Sequence, residues 1–79
     1  MYAIEITPEF SKQAEALHPK RYKQVHLKVF ALLLNPRPPD CTLLDAERCL
    51  VRVGPYTIAY KIDDSQQRVQ VIALEEQAQ

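Results

Sequence analysis

The chain has 79 residues, of which ten are basic, ten are acidic and 47% are hydrophobic. A chain of this length builds one hydrophobic core, so we predict a single domain over residues 1–79. The single glycine and the high hydrophobic content exclude a disordered or low-complexity protein. The balanced charge gives no indication of a nucleic-acid or membrane partner.

The sequence also carries expectations about compartment and bound groups. Residues 1–5 lack the basic and apolar segments of a signal peptide, and the longest apolar run, residues 29–34, is shorter than the roughly twenty residues that span a bilayer. Cys41 and Cys49 have no further Cys or His ligands at short spacing, so we expect two reduced thiols and no metal site. We predict a cytoplasmic protein that contacts no membrane and needs no cofactor.

The N-terminal residues predict a strand followed by a helix. Apolar side chains alternate with others in the pattern of a strand with one apolar face: Tyr2, Ile4 and Ile6. Thr7 and Pro8 then suit the N-cap and the first position of a helix. The spacing of its apolar residues predicts a buried stripe made of Phe10, Ala14 and Leu17.

A second helix is predicted to begin at Pro19 and to run to about Asn35. His18 ends the first helix, because a residue that precedes proline is driven out of the α region. The predicted buried face of the second helix is formed by Tyr22, Val25, Val29 and Leu32, widened by Phe30, Leu33 and Leu34. Because the link between the helices is so short, they should form an antiparallel hairpin.

The C-terminal half changes to the period of β-structure. Residues 35–40 are rich in proline and predict a crossover loop, whereas residues 41–48 could be a loop or a short strand, with Leu43 and Leu44 under the sheet. From residue 49 onwards, alternation and turn residues predict three strands, the last of them central because it is apolar on both faces. The order β-α-α-β-β-β predicts an α+β fold in which a helical hairpin packs on an antiparallel sheet.

Basic residues concentrate in one part of the chain. No acidic residue occurs between Glu15 and Asp40, and this stretch holds the candidate RNA-binding residues Lys20, Arg21, Lys23, Lys28 and Arg37. A basic helix face beside a sheet could follow phosphates, or it could be an ordinary solvated face. His18 and His26 lie too far apart in sequence to form a helical metal-binding pair.

The stretch from residue 50 to residue 64 carries a recognisable motif. Its matching positions are Arg52, Val53, Gly54, Tyr56, Tyr60, Ile62, Asp63 and Asp64, preceded by an Asn-Pro-Arg sequence at residues 35–37. This pattern resembles the strand-turn-strand core of the RelE/ParE toxin superfamily. The resemblance implies the toxin half of a toxin–antitoxin module, silenced by a flexible antitoxin that folds onto its helix-and-sheet surface. RelE-like members cut mRNA in the ribosomal A site, and ParE-like members poison DNA gyrase.

The chain departs from that pattern where RelE-like toxins hold their catalytic residues. Thr57 stands where an arginine usually follows the motif tyrosine, and Leu50 stands where a basic residue is usual. Residues 75–79 contain no Arg, His or Tyr, and the last helix of the family is expected to be absent. The candidate catalytic residues are therefore Arg52, whose two-pronged guanidinium suits phosphate, and Lys61, a point charge.

Other candidate residues have simpler structural explanations. Glu75 or Glu76 could act as a general base, although both could equally belong to a solvated tail. Alternation places Tyr56 and Tyr60 in the core. The Asp-Asp sequence at residues 63–64 is explained by turn chemistry.

We expect a RelE-like toxin of the ribosome-associated mRNA-interferase type, with weak or lost catalytic activity and a cognate antitoxin as partner. The alternatives are a ParE-like DNA gyrase inhibitor and a degenerate toxin-fold homologue that acts only as a protein-binding module. We also expect homodimerisation, because the missing last helix would leave apolar sheet surface exposed.

Overall fold

The computed structural model describes residues 1–76 as two helices and five strands. In chain order these are β1 (Ala3–Ile6), α1 (Pro8–Glu15), α2 (Pro19–Ala31), β2 (Cys41–Leu43), β3 (Arg48–Val53), β4 (Tyr56–Asp63) and β5 (Arg68–Glu76). The strands form one sheet in the order β1-β5-β4-β3-β2, and the helical hairpin packs on one of its faces. The predicted α+β class and hairpin are confirmed.

The strand directions add two details. Strand β1 pairs with β5 in parallel, whereas the other neighbours are antiparallel, so the sheet is mixed rather than wholly antiparallel. The segment that the sequence left open contains the short edge strand β2. Alternation of side chains is the same for both strand directions, so the sequence pattern did not distinguish them. The predicted central position of β5 is confirmed, since β1 and β4 flank it.

Both helices begin at a proline, Pro8 in α1 and Pro19 in α2. Helix α1 starts at Pro8, and the Thr7 hydroxyl accepts a hydrogen bond from the Phe10 amide at 3.3 Å. The same hydroxyl donates to the Ile72 carbonyl at 2.8 Å. Ile72 is the extra residue at a bulge in β5, where the register shifts beside Ala59 and Tyr60. One side chain therefore caps α1 and anchors it to the centre of the sheet.

The core lies between the helices and the sheet. Its fully buried larger side chains are Tyr60, Phe10, Leu32, Ile58, Ile62, Val25, Val29, Val51, Val69, Val71 and Cys49. The predicted burial of Tyr60 is thus confirmed, while Tyr56 is partly buried against the same cluster. Cys41 and Cys49 are both free thiols.

Five residues that were expected to be buried are exposed, and one of them is Tyr22, which is 38% exposed. Leu43 and Leu44 are 57% and 55% exposed, because the edge strand β2 has only one neighbouring strand to cover them. Phe30 and Leu34 are 54% and 79% exposed, so they do not widen the buried face of the second helix. The helix itself ends at Ala31, four residues before the predicted end, and Phe30 lies on its outer side.

Candidate functional site

The face of the sheet opposite the helices carries the predicted catalytic residues. We call it the open face; its side chains include those of Arg48, Leu50, Arg52, Thr57, Ala59, Lys61, Asp63, Arg68, Gln70, Ala73 and Glu75. They alternate along β3, β4 and β5 with the core residues. Arginine and lysine side chains on an exposed sheet can contact a polyanion, but Arg52 and Lys61 lie in separate rows.

One row of the open face contains Arg52. Register pairs Arg52 with Thr57, and Thr57 with Glu75, so the arginine and the carboxylate flank the threonine. Thr57 is only 7% exposed, whereas Arg52 is exposed. Glu76 instead pairs with Tyr56, which packs against the core on the helix side of the sheet. Of the two glutamates that the sequence left as candidate bases, Glu75 is therefore the one that shares the Arg52 row.

Lys61 lies in a different row of the same face. It pairs in register with Arg48 and Gln70, and its ammonium lies 3.6 Å from a carboxylate oxygen of Glu47. Arg48 of this row lies four positions before Arg52 along β3, a backbone distance of about 13 Å. An intermediate row lies between them and is apolar: Leu50, Ala59 and Ala73. The structure places both predicted catalytic residues on one face but does not gather them into one cluster.

The predicted RNA-binding residues of α2 lie on the other side of the sheet. Lys20 and Lys23 are exposed, and Arg21 donates to the Gln24 side chain at 3.4 Å. The Lys28 ammonium forms an ion pair with Asp40 at 2.5 Å, which lowers the pKa of that carboxyl. Their predicted contact with RNA stays a prediction.

Arg37, the last of the predicted RNA-binding residues, is engaged within the protein. Its two terminal nitrogens donate to the two carboxylate oxygens of Asp64 at 3.1 and 3.0 Å, and one of them also donates to the Ala46 carbonyl. Tyr2 donates to Asp64 as well, at 2.8 Å. The hydrogen bonds from Arg37, and then that from Tyr2, lower the pKa of Asp64. A phosphate would have to compete with this carboxylate for the guanidinium.

The two halves of the family motif meet at this point. The Tyr60 hydroxyl, from the strand motif, donates to the Pro36 carbonyl at 2.7 Å, next to the Arg37–Asp64 pair. Sequence reasoning assigned Asp64 to turn chemistry and missed its pairing with the loop. Turn chemistry does describe Asp63, which accepts from the Ser65 hydroxyl and the Gln66 amide. An arginine in a proline-rich loop and two adjacent aspartates were the available signals for an ion pair.

The two histidines have structural positions on the helices. His18 is the N-cap of α2, where its ring nitrogen accepts from the Lys20 amide at 3.3 Å. His26 stacks on Tyr22 with ring centroids 4.2 Å apart, and it approaches Phe30 edge-on. Both lie on α2 or at its start, on the side of the sheet opposite Arg52, so neither is placed to exchange protons there.

A groove runs between α2 and the turn that joins β3 to β4. We call it the α2 groove; it has a volume of about 460 Å³ and is lined by Arg21, Gln24, Leu27, Lys28, Ala31, Val53 and Gly54. A smaller depression of about 190 Å³ lies at the other end of the open face, among charged residues that include Lys61 and Arg68. Residues 1–76 contain no group of three or more His, Cys, Asp or Glu placed to hold a metal ion. Neither helix is long and apolar enough to cross a bilayer.

A helical hairpin on one face of a five-stranded sheet, with motif residues that join the loop to the strand, is the architecture expected of the RelE/ParE type. A family model described as "ParE toxin of type II toxin-antitoxin system, parDE" matches residues 4–79, and the chain belongs to this family. No curated protein sequence matches the chain. The resemblance inferred from the motif is therefore confirmed at the level of the superfamily.

Solved structures show the same fold. The isolated RelE toxin of E. coli matches with a TM-score of 0.87 and 18% identity, over 100% of this chain and 87% of that chain. The archaeal RelE-RelB complex from Pyrococcus horikoshii OT3 gives 0.86 and 15%, over 99% and 97%. The toxin-antitoxin complex RelBE2 from Mycobacterium tuberculosis gives 0.83 and 22%, over 96% and 98%. At these identities the likeness establishes the fold.

Proposed function

We propose that this toxin is of the ribosome-associated mRNA-interferase type, that its catalytic activity is weak or lost, and that a cognate antitoxin protein neutralises it. The observation that carries the proposal is the composition of the open face. Arg52 offers a guanidinium for phosphate beside Thr57, while Lys61 lies two rows away and pairs with Glu47. The face can hold a nucleic-acid backbone better than it can move protons.

The chemistry explains why cleavage would be slow. Attack of a 2′-hydroxyl on phosphate needs a base, an acid and cations for the developing charge. Arg52 supplies a cation, and Glu75 is the carboxylate of its row. A carboxylate so close to the backbone of the substrate also repels phosphate, so its use as a base opposes binding. Since both histidines lie on the helix side, the described part of the open face has no imidazole.

The proposed partners follow from the relatives. Two of the structures described above are complexes of a toxin with its antitoxin, which supports a cognate antitoxin as the partner of this chain. The ribosome with its mRNA is the proposed target, and the cytoplasm is the proposed compartment. Homodimerisation stays a prediction; the C-terminal residues on which it was based include residues 77–79, which lie outside the described residues.

Inducible expression in a bacterium tests the proposal. We expect weak growth arrest with a small number of new mRNA 5′ ends, and Arg52→Ala should remove both. Arg68→Ala is the matched control, because Arg68 is an exposed cation of the sheet that pairs with Glu5 at 3.7 Å. Codon-specific cleavage as strong as that of an active RelE toxin would contradict the weak or lost activity. Arrest with intact mRNA would contradict the interferase type.

The alternative target is DNA gyrase, and the family match favours it, because the matching model describes ParE toxins. In that case the protein acts by binding rather than by cutting RNA, and the open face needs no proton-transfer groups. Purified protein in excess should then inhibit supercoiling by gyrase, and unchanged supercoiling would exclude this function. Soluble expression without growth arrest would favour the third hypothesis, a toxin fold that only binds a partner.

A further inference from the structure

The two cysteines of the chain lie on neighbouring strands and on the same face of the sheet. Register pairs Cys41 of β2 with Val51, and Leu43 with Cys49, so the two cysteines are diagonal neighbours. Cys49 is fully buried in the core, and Cys41 packs against the same core on the helix side of the sheet. Both are free thiols. Pairing of β2 with β3 therefore brings together two reduced thiols that are distant in the sequence.

The two thiols and one phenol form a cluster in the core. Tyr60 of β4 is the register partner of Cys49, and its hydroxyl donates to the Pro36 carbonyl at 2.7 Å. Burial is the main cause of the raised pKa of the Cys49 thiol, and the neighbouring Cys41 raises it further. Burial also raises the pKa of Tyr60, and both cysteines add to that effect. Effects of this kind arise only between close neighbours, so the three side chains adjoin one another.

The two thiols differ in their access to solvent. Cys41 is half-buried on the edge strand β2, which is three residues long and pairs only with β3. Cys49 is 1% exposed. An oxidant in solution therefore reaches the Cys41 thiol first, while Cys49 is protected from direct attack. An accessible thiol beside a second, protected thiol is the arrangement that lets the second one complete a disulfide.

We propose that Cys41 and Cys49 form a reversible disulfide when the protein meets a hydroperoxide. The Cys41 thiolate attacks the peroxide, an S–O bond forms and the O–O bond breaks. Cys41 becomes a sulfenic acid, and the departing oxygen takes up the thiol proton as water or an alcohol. The Cys49 thiol then loses its proton and attacks the sulfenic sulfur, so the S–S bond forms, the S–O bond breaks and water leaves. A dithiol reductant restores both thiols and becomes a disulfide itself.

Closure of this bond requires only a small movement of β2. Diagonal neighbours in an antiparallel pair have Cα atoms about 7–8 Å apart, whereas a disulfide needs about 4.4–6.8 Å. A three-residue edge strand can move by the difference, because a single neighbouring strand holds it. The bond would then fasten β2 to β3 and restrict the unfolded chain. In a reducing compartment it would persist only while the oxidant is present, as redox-sensing disulfides do.

Oxidation of the purified, reduced chain with hydrogen peroxide tests the inference. We expect both thiols to disappear from titration, the mass to fall by two hydrogen atoms and no dimer to form. Trypsin separates the cysteines into peptides 29–48 and 49–52, because Arg37 precedes a proline and is not cleaved. These two peptides should be linked after oxidation and released by dithiothreitol. Persistence of both thiols, sulfinic or sulfonic products without the link, or links between different chains only would overturn the proposal.

A cysteine moved to the other face of β2 provides the matched control. Cys41→Ser combined with Thr42→Cys keeps two thiols on the same pair of strands, but position 42 faces away from Cys49. This double variant should form the intramolecular disulfide about tenfold or more slowly than the wild-type protein, because its thiols are not aligned. Equal rates would contradict the proposal. Cys49→Ala should stop the reaction at the Cys41 sulfenic acid, which dimedone traps.

Thermal unfolding of the wild-type protein gives a measurement that needs no variant to fold. The oxidised chain should unfold at a higher temperature than the reduced chain, and dithiothreitol should reverse the shift. An unchanged or lower midpoint after oxidation would show that the bond does not fasten β2 in its native position. The experiments measure thiols and stability, so the inference does not rest on the proposed function.

Discussion

Arg37 donates from both terminal nitrogens to the two carboxylate oxygens of Asp64, 27 positions away in the sequence, at 3.1 and 3.0 Å. The pair joins the proline-rich crossover loop to the turn between β4 and β5. The contact gives a structural role to two parts of the family motif, the Asn-Pro-Arg sequence of the loop and the Asp-Asp sequence of the turn. Bidentate geometry makes the pair specific, since a guanidinium and a carboxylate fit each other in a plane.

We predict that Arg37→Ala and Asp64→Asn lower thermal stability to a similar, small extent, because each breaks the same partly exposed pair. Arg37→Lys should fail to restore the wild-type value, since lysine offers a point charge rather than a fork. Thermal unfolding followed by circular dichroism at low salt measures both effects. If Arg37 served mainly as a phosphate contact, Asp64→Asn would leave stability unchanged and strengthen RNA binding.

Tyr60→Phe should destabilise the protein by about 1–3 kcal/mol, the cost of leaving a buried carbonyl without its hydrogen bond. The Tyr60 hydroxyl donates to Pro36, and both residues are buried. Tyr22→Phe is the control, because Tyr22 is 38% exposed and its hydroxyl can be solvated. Urea unfolding of the two variants gives the comparison, and equal stabilities would show that the Pro36 contact contributes nothing.

Gly54→Ala should cost about 1–2 kcal/mol, because Gly54 has a φ of +59°, in the left-handed region that disfavours a side chain. A Cβ there would also lie 3.1 Å from a terminal nitrogen of Arg21. Combining Gly54→Ala with Arg21→Ala removes that approach but not the backbone strain. The double variant should therefore recover only part of the loss in a urea titration; full recovery would assign the whole cost to the Arg21 contact.

Stability should fall in acid below about pH 4, near the ordinary pKa of aspartate. Four carboxyls have lowered pKa values in the folded protein, those of Asp40, Asp45, Asp63 and Asp64. Hydrogen bonds from the backbone amides of Arg48 and Glu47, and then from the Arg48 side chain, lower the pKa of Asp45 to about 2.

A carboxyl with a lowered pKa stabilises the folded state at pH values above its pKa in the unfolded chain. This contribution is lost as the pH falls through its pKa in the folded protein. Thermal unfolding between pH 6 and pH 2 should show this loss, and Asp45→Asn should make the slope shallower. A midpoint that does not change over this range would contradict the hydrogen bonds described for these carboxyls.

Stability should also fall in alkali. Burial raises the pKa of the Cys49 thiol and, more strongly, that of the Tyr60 hydroxyl. An acid with a raised pKa contributes to folding at pH values below its ordinary pKa, which is 9.0 for the thiol. This contribution to stability is lost as the pH rises above that value. Unfolding midpoints measured from pH 8 to pH 11 should decrease. The decrease relative to pH 8 should be smaller in the Cys49→Ala variant than in the wild-type protein.

Local chemistry made the helix starts and much of the core predictable. Pro8 and Pro19 restrict their own φ and keep the preceding residue out of the α region, so both helices begin where the sequence predicts. Burial of Val25, Val29 and Leu32 follows from helical spacing, but the same spacing placed Phe30 in the core, where it is not. Periodicity identifies an apolar stripe without saying how wide a surface the sheet offers to cover it.

The sequence by itself determined the order of the two helices and of four of the five strands, the α+β class and the family resemblance, because these depend on residues close together in the chain; it left the strand at Cys41–Leu43 open. Only the tertiary structure decided that β1 runs parallel to β5, that Glu75 rather than Glu76 shares a row with Arg52, and that Arg37 is paired with Asp64. Each of these depends on strand register or on contact between distant segments. The bulge at Ile72 shifts the register of β5 against β4 by one residue, so that Glu75 pairs with Thr57, and the alternation of neither strand reveals that shift.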